Sequence, residues 1–354
     1  MLLANERGCF IRKCSLSSFK ELKIKPFKTI DEQISILKAR GLVIDSKNAN
    51  EILFKEGYYN IINGYKDIFL EDCEKETFIT NTKFSDIYML YHFDNLLGDN
   101  ILNVCISIEN IIKTVIAYYI SKEYDVFEDS YLDRNNYRTG RFIVTSFGSE
   151  YEIDAVLRNS KEIKQSSSQP YKHYKEKHGH IPAWILLKGA NFWTIKTFLK
   201  LQKSDIKTKI TSTLLDKNLD YINEDDKQFL SDLVHIIYKF RDCAAYGGRM
   251  YNLNIKKKTS NRDSDIIKYY KPFHDKINIS SELYNKGYGQ SDFYAFYYAV
   301  KQLLPDNEYL SFNRSVIALL RAIKTQCGDK YSAVLEMMGI PMHMLNMPEE
   351  MIFM

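Results

Sequence analysis

The chain has 354 residues, of which 45% are hydrophobic, 27% are charged and 14% are aromatic, and its formal net charge is +4. A chain of this length and composition can bury a sizeable core and form two or three globular domains. The mild net charge excludes a surface that is basic throughout, so any nucleic-acid-binding surface must be local.

The cysteines and the N-terminal stretch indicate in which cellular compartment the protein is expected and whether it is expected to bind a metal. The six cysteines include no Cys-x-x-Cys pair, so the sequence predicts neither a metal site nor a disulfide framework. The stretch from Met1 to Ala4 is too short for the core of a signal peptide, and no apolar run approaches the ~18 residues of a membrane span. We therefore expect a cytoplasmic protein with reduced thiols, no cofactor and no membrane partner.

The first 80 residues divide into two predicted units. Residues 1–24 are mixed and basic and are expected to form an N-terminal arm. Residues 25–80 are expected to form a helical subdomain, in which Thr29 caps the first helix. Two further short helices are predicted at 49–56 and 58–65, with Gly57 closing the earlier one.

The longest periodic segment runs from Phe84 to Tyr124 and opens a core domain predicted at 84–255. Apolar residues recur there at steps of three and four, which predicts one long helix. Glu109 lies within this apolar pattern, where a carboxylate is costly unless it is paired or reaches solvent. Two interpretations stay open: a helix-edge residue that reaches solvent, or the partner of a buried arginine, for which Arg241 is our candidate.

Residues 126–180 are expected to form an irregular insertion within the core domain, with a short strand at 142–145. Three histidines stand close together near its end: His173, His178 and His180. They lack an acidic or cysteine partner at metal-ligand spacing, so we expect a loop that contacts phosphate rather than a metal site.

The remaining segments also favour helices, and the fold class is predicted as all-α. One helix is expected from Trp184 to Leu199, and another follows Asn223, which caps an acidic first turn. A polar loop is predicted from Lys256 to Asp265. The C-terminal region, 266–354, should contain helices at 291–304, 312–325 and 331–338.

The stretch from Phe240 to Asn252 is the most informative for function. It carries Arg241 and Arg249 on either side of a helix end, which Gly247 and the next glycine terminate. Paired guanidinium groups suit phosphate oxygens, although cations at a helix C-terminus also favour its dipole. On a straight helix Arg241 and Tyr246 point about 140° apart. They converge only if the backbone turns at the glycines or a second chain completes the site.

From about residue 25 the chain resembles the AbiD/AbiF-type abortive-infection proteins of bacteria, the Abi-like family with a HEPN (higher eukaryotes and prokaryotes nucleotide-binding) core. The resemblance depends on the order of several short motifs rather than on any one of them. These motifs are Lys25-Pro26-Phe27, Tyr58-Tyr59, Gly64-Tyr65, Phe93-Asp94, Ile108-Glu109, Pro182-Ala183-Trp184 and Met338-Gly339-Ile340-Pro341.

The resemblance implies a ribonuclease-type site. HEPN ribonucleases carry an Arg-x4–6-His motif, in which the arginine holds the scissile phosphate and the histidine moves protons while a ribose 2′-OH attacks. No metal is implied, and two copies usually form the cleft. Here Arg241 matches the arginine, Asp242 replaces the usual asparagine and Tyr246 replaces the histidine, while Arg249 and Asn252 match the trailing residues.

The replacement by Tyr246 leaves several functions open. A tyrosine phenol has an ordinary pKa of ~10 against ~6.5 for histidine, so it is a poor base at neutral pH. The chain is interpreted as an anti-phage, toxin-like endoribonuclease or RNA binder, with a catalytically silent RNA-binding regulator and a phage-sensing interaction module as alternatives. His235 is interpreted as structural rather than as a substitute base.

The residues expected to carry this function fall into two groups. The catalytic candidates are Arg241, Tyr246, Asp242 and Glu109. The RNA-binding candidates are Arg249, Asn252, Lys239 and His178. The partners expected from the resemblance are RNA, a second copy of the chain, a small RNA or protein antitoxin, and a phage component.

Overall fold

The computed structural model describes residues 26–255 and 266–353. The arm predicted at 1–24 and the polar loop predicted from Lys256 to Asp265 lie outside the described residues. Within the described part, helices predominate and the named strands form two short antiparallel hairpins. This confirms the prediction of a mainly all-α fold.

The N-terminal elements contain more irregular helix than predicted. Thr29 caps the first helix by accepting from the Glu32 backbone N–H, while the Glu32 side chain accepts from Thr29. The predicted second and third helices are wrong in detail, because most of their residues form wide π-helical turns. The elements are α1 (Ile30–Ala39), α2 (Ala49–Ile52), π turns at Leu53–Gly57 and Tyr59–Asn63, a 3-10 turn at Asp67–Phe69, β1 (Leu70–Asp72) and β2 (Thr77–Phe78).

Helix α3 (Phe84–Tyr124) has the bounds that the apolar periodicity predicts, and it extends for about 60 Å. Its buried side chains recur at steps of three and four residues along most of its length. By length and composition alone α3 is apolar enough to cross a membrane, as many core helices of soluble proteins are. From the sequence we expected no stretch of this kind.

The insertion at 126–180 is more regular than predicted. The strand at Phe142–Thr145 is confirmed as β3, and it pairs with an unpredicted β4 (Gly148–Tyr151). The description of the whole segment as irregular is wrong, because a 14-residue helix buries Ile153 and Val156 among polar neighbours. The elements are α4 (Glu128–Tyr131), a 3-10 turn at Arg134–Asn136, β3, β4, α5 (Glu152–Gln165) and α6 (Tyr171–His178).

The segment from Trp184 to Leu199 forms two helices rather than the predicted one. Asn191 interrupts it, because its side chain accepts from the Thr194 backbone N–H at 2.9 Å and starts a new helix. The elements are α7 (Ala183–Leu186), a 3-10 turn at Leu187–Gly189, α8 (Phe192–Lys200), α9 (Ser204–Leu215) and a 3-10 turn at Leu219–Tyr221.

Helix α10 (Glu224–Ala245) lies across α3 and carries the motif residues near its end. Its start is confirmed, since Asn223 and Asp226 form a reciprocal cap with two 2.9 Å hydrogen bonds. Phe240 stacks on Phe296 at 4.4 Å between ring centroids, which anchors the last turns of α10 to the C-terminal region. Apolar contacts with α3 and with the C-terminal region therefore hold α10 in place.

The three helices predicted in the C-terminal region are confirmed with shifted ends, and the second of them packs along α3. Every residue of the first two turns of the first of these helices is buried. The elements are α11 (Lys271–His274), α12 (Ser281–Asn285), α13 (Phe293–Leu303), α14 (Asp306–Cys327), a 3-10 turn at Gly328–Lys330, α15 (Tyr331–Met337), a 3-10 turn at Met342–Met344 and α16 (Glu349–Ile352).

A buried carboxylate on α3 joins three distant parts of the chain. Asp94 accepts a hydrogen bond of 2.6 Å from the Tyr65 hydroxyl in the N-terminal part. It also accepts from the backbone N–H groups of Met250, at 3.0 Å, and Tyr251, at 2.7 Å, just beyond α10. The segment that leaves the motif is thus held against α3 and against the N-terminal elements.

We expect Asp94→Ala to lower the free energy of unfolding by about 3 kcal/mol or more, since it leaves three buried donors at about 1–3 kcal/mol each. Asp94→Asn should cost less, because its carbonyl oxygen still accepts one of these bonds. Urea unfolding of the full chain measures both changes. The exposed Asp99 on the same helix supplies the control Asp99→Ala, expected within about 0.5 kcal/mol of wild type. Equal midpoints for the two alanine variants would contradict this role.

Candidate functional site

Arg241 projects from α10 toward α3 and is the centre of the candidate site. Its Nε lies 4.0 Å from Glu109 Oε2, and its Nη1 makes a long 3.5 Å contact with Asp242 Oδ1. The Nε atom is buried and has no hydrogen-bond partner within the described part of the chain. The side chain as a whole is 33% exposed. The guanidinium is therefore held on its Nε edge while part of the side chain stays accessible.

Glu109 is buried and lies between two cations. Lys113, one turn further along α3, has its Nζ 2.7 Å from Glu109 Oε1, closer than Arg241, and it also donates to the Lys188 carbonyl at 3.4 Å. Glu109 is thus not a residue that reaches solvent. Lys113 was missed in the sequence analysis, although its i+4 spacing from Glu109 is a signal that can identify it.

A second polar group adjoins Arg241 on the neighbouring face of α10. Lys196 on α8 lies 4.3 Å from the Tyr238 ring centroid and donates to His235 Nδ1 at 3.3 Å. Burial, followed by the positive charges of Lys239 and Lys200, lowers the pKa of Lys196 to about 8. Glu152 and Asp242 lie near the same lysine and oppose this shift.

Tyr238 connects this second group to the motif. Burial, and then its hydrogen bond to Asp242, raise the pKa of the Tyr238 hydroxyl above its ordinary value, so it stays a neutral donor. Asp242 thereby contacts both Arg241 and Tyr238. From the sequence we expected His235 to be structural, and neither Tyr238 nor Lys196 was among the predicted site residues. The spacing of His235, Tyr238 and Asp242 along α10 is a usable signal, whereas Lys196 reaches them only through the tertiary fold.

Tyr246 is placed apart from Arg241. It is the C-cap residue of α10 and is 88% exposed. Because α10 stays helical through Ala245, the two side chains keep the ~140° separation of a straight helix. The glycine turn comes after Tyr246 and does not bring it back toward Arg241 within one chain.

Two glycines close α10 in a Schellman turn. Gly247 N–H donates to the Ala244 carbonyl at 3.0 Å, and Gly248 N–H donates to the Cys243 carbonyl at 2.8 Å. Gly247 has φ of +65°, the left-handed region that favours glycine. A Cβ on Gly248 would lie 2.3 Å from Cys243 Sγ. Both glycines are needed, one for its backbone angle and the other for space.

The four predicted RNA-binding residues have different surroundings. Arg249 donates to the Gly64 carbonyl at 2.6 Å, which ties the motif to the N-terminal part. Asn252 lines a cavity of about 670 Å³ with residues of the C-terminal region, including Ser291. Lys239 is half-buried near Lys196. His178 ends α6, with its ring 5.1 Å from that of Tyr174.

No metal centre is evident in residues 26–255 and 266–353, since no group of three or more His, Cys, Asp or Glu side chains is placed to hold an ion. The groups gathered around Arg241 within one chain are two ammonium groups, two carboxylates, an imidazole and the phenol of Tyr238, in addition to its own guanidinium. They are suited to binding an anion and to exchanging protons with it.

We expect Gly248→Ala to destabilise the protein more than Gly247→Ala, because the added methyl meets Cys243 Sγ and the Cys243 carbonyl. Gly247→Ala meets open space and should cost about 1–2 kcal/mol for the left-handed backbone alone. Thermal unfolding measures both. Adding Cys243→Ala to Gly248→Ala should recover part of the lost melting temperature, and no recovery would argue against the steric explanation.

Comparison with known proteins identifies the family of the chain. Residues 51–252 match the model of the family described as Abi-like protein. No curated protein and no solved structure matches the chain significantly. The matched region runs from α2 to the segment after α10 and includes Glu109, Arg241, Tyr246 and Asn252. Because it covers more than half of the chain, this protein belongs to the Abi-like protein family.

Proposed function

We propose that this protein is a bacterial anti-phage abortive-infection effector that acts on RNA through a HEPN-type site centred on Arg241, in the manner of the AbiD/AbiF-type members. Membership of the Abi-like family supports a function in abortive infection. The observation that carries the RNA-directed part is the state of Arg241. Glu109 lies 4.0 Å from the buried Nε edge of its guanidinium, and the side chain as a whole remains 33% exposed. A guanidinium fork of this kind fits phosphate oxygens.

The proposed reaction is metal-independent cleavage of an RNA strand. Arg241 holds the scissile phosphate and stabilises the negative charge that develops on its oxygens. The ribose 2′-OH loses its proton to solvent and attacks the phosphorus, the bond between phosphorus and the 5′-oxygen breaks, a cyclic phosphate forms, and the 5′-oxygen leaves with a proton. A phenol is a weak base and a better proton donor at neutral pH, so Tyr246 suits protonation of the leaving oxygen.

A second copy of the chain is part of the proposal, because one chain keeps Tyr246 on a different face from Arg241. Apolar side chains remain exposed on α3 at Leu96 and Ile106, and Ala245 is exposed beside Tyr246 at the end of α10. A two-fold axis near these helix faces would place Tyr246 of one copy toward Arg241 of the other. The antitoxin and the phage trigger expected for such effectors remain proposals of the same kind.

We expect the purified protein to sediment as a dimer of 41.6 kDa chains, and Ile106→Lys to weaken dimerisation at least about tenfold, since a buried interface residue often contributes 1–2 kcal/mol or more. Sedimentation velocity over a range of concentrations measures this shift. Phe54→Lys, at an exposed site in the N-terminal part, is the matched control. A wild-type monomer at the concentrations used in the RNA assays would exclude the shared site.

A silent RNA-binding regulator is the second candidate, and the exposed Tyr246 in the histidine position is the observation that favours it. In that case Arg241 would bind RNA without cleavage. Both candidates predict salt-sensitive RNA binding, because phosphate contacts release counterions. They differ only in the fate of the bound strand.

The cleavage test uses end-labelled RNA in EDTA, with cyclic-phosphate ends as the product. We expect Tyr246→His to raise the cleavage rate about 100-fold, the lower range of general acid–base catalysis, and Arg241→Ala to lower it by about 100-fold or more. Arg314→Ala, at an exposed arginine on α14, is the control. Absence of cleavage by wild type and by Tyr246→His, with RNA still bound, would favour the regulator. No cleavage and no bound RNA at low salt would overturn both candidates.

A parallel test in cells separates the RNA-directed functions from a phage-sensing interaction module. We expect Arg241→Ala to abolish phage protection while the protein still accumulates. Full protection by this variant would point to the interaction module instead.

A further inference from the structure

A row of cations leads away from Arg241 across α8. Lys239 and Lys200 are close enough to Lys196 for their charges to lower its pKa, in addition to the effect of burial. Lys196 and Lys200 are one turn apart on α8, which places them on one face about 6 Å apart along the axis. Crowding of like charges is unfavourable in the free protein and is relieved when an anion binds.

The row continues onto the β3–β4 hairpin. Lys200 Nζ lies 2.7 Å from Glu152 Oε2, and the same carboxylate accepts from the Arg141 backbone N–H at 2.9 Å. Arg141 directly precedes β3. Along the path the cations outnumber the carboxylates: Lys239, Lys196, Lys200 and Arg141 stand against Asp242 and Glu152. The surface is therefore locally basic although the whole chain is nearly neutral.

The hairpin itself exposes aromatic and apolar side chains. Phe142 is 63% exposed and Tyr151 is 42% exposed. The two residues are directly paired across β3 and β4, with ring centroids 5.1 Å apart. Val144 and Phe147 are also exposed, and Phe147 lies under Arg158 at 4.0 Å. Aromatic rings at the surface of a short hairpin contribute little to a core and offer their faces to a ligand.

We infer that the β3–β4 hairpin and the cation row form a path for single-stranded RNA, with bases stacking on Phe142 and Tyr151 and phosphates contacting Arg141, Lys200 and Lys196. This inference rests on the proposed function, because the path leads to Arg241. Exposed rings on strands stack on unpaired bases of any sequence, and lysines and arginines beside them neutralise the backbone. The two carboxylates on the path are each engaged by neighbouring donors, which reduces their repulsion of phosphate.

Single-stranded RNA fits this surface better than a second copy of the chain does. A second copy would bring an identical excess of cations against the row, and no acidic surface in the hairpin compensates for them. In the hairpin region the acidic groups Glu150 and Asp154 are paired with Arg158 and Arg134. The charge of the row and the exposed rings together match a polyanion with stacking groups.

The experiment measures fluorescence anisotropy of a labelled 2′-O-methyl oligouridylate of about 12 nucleotides, a length within the range that such surfaces bind. The 2′-O-methyl groups remove the attacking hydroxyl, so cleavage does not affect the affinity. We expect the double variant Phe142→Ala, Tyr151→Ala to bind about 10-fold or more weakly, from stacking values of about 1–3 kcal/mol per base and 1.4 kcal/mol per tenfold. The conservative pair Phe142→Tyr, Tyr151→Phe should stay within about twofold of wild type.

The charged part of the path is tested by salt dependence. Arg141→Gln and Lys200→Gln should each reduce the slope of log affinity against log salt by about 0.7, the value for one phosphate contact on a single strand. Lys47→Gln and Tyr221→Ala, at exposed positions elsewhere, are the charge and aromatic controls and should leave both affinity and slope unchanged. Thermal unfolding of each variant verifies that the fold is retained.

The outcomes separate this inference from the proposed function. If Arg241→Ala abolishes cleavage or protection while the hairpin variants bind RNA as wild type does, the proposed function stands and the RNA path is overturned. If the hairpin variants lose affinity while Arg241→Ala protects fully, the path stands and the proposed function falls. Equal affinity for a duplex of the same length, or dissociation of the dimer by the hairpin variants, would also overturn the path.

Discussion

The carboxylate of Asp94 is buried where α3, the N-terminal elements and the segment after α10 meet. Burial raises its pKa to about 6, against the opposing effect of the donors from Tyr65, Tyr251 and Met250. The group is buried, so all three donors are satisfied only when the three segments are in place together. The position of the chain after the motif depends on this arrangement.

The candidate site contains charged side chains whose burial is unfavourable unless they are paired with one another. Glu109 lies within the apolar pattern of α3, and Lys113 and Arg241 provide its opposite charges. Breaking such a buried group is costly, whereas its presence need not stabilise the fold. The arrangement is therefore better explained by the orientation it imposes on Arg241 than by stability. Its neighbour Tyr238 is kept neutral, which leaves a donor next to Asp242.

Sequence periodicity and capping identified the elements that bury an apolar stripe. The bounds of α3 and the start of α10 at Asn223 follow from local chemistry, since apolar spacing and a cap residue are both visible along the chain. Helix α5 was missed because Ile153 and Val156 stand among many polar residues. The break at Asn191 was missed although Gly189 and the capping residue Asn191 interrupt the apolar pattern between Leu187 and Phe192.

Only some residues of the candidate site could be predicted from the sequence. Glu109 and Arg241 could be proposed as neighbours because an isolated carboxylate on an apolar helix requires a partner. Lys196 could not be assigned, since it reaches Tyr238 and His235 from a helix some 40 residues earlier in the chain. The exposed rings of Phe142 and Tyr151 likewise depend on a strand pairing of which only one member was predicted.

The hydrogen bond from Arg249 to the Gly64 carbonyl has a consequence for how the molecule can be divided. A border drawn between the N-terminal subdomain and the core, near residue 80, follows the chain but crosses this contact and the one between Tyr65 and Asp94. We therefore expect the two parts to exchange their buried amide hydrogens as one cooperative unit. In a fragment beginning at α3, Arg249 would lack its acceptor, the Gly64 carbonyl, and Asp94 would lack one of its donors, the Tyr65 hydroxyl. The N-terminal part therefore stabilises the position of the motif.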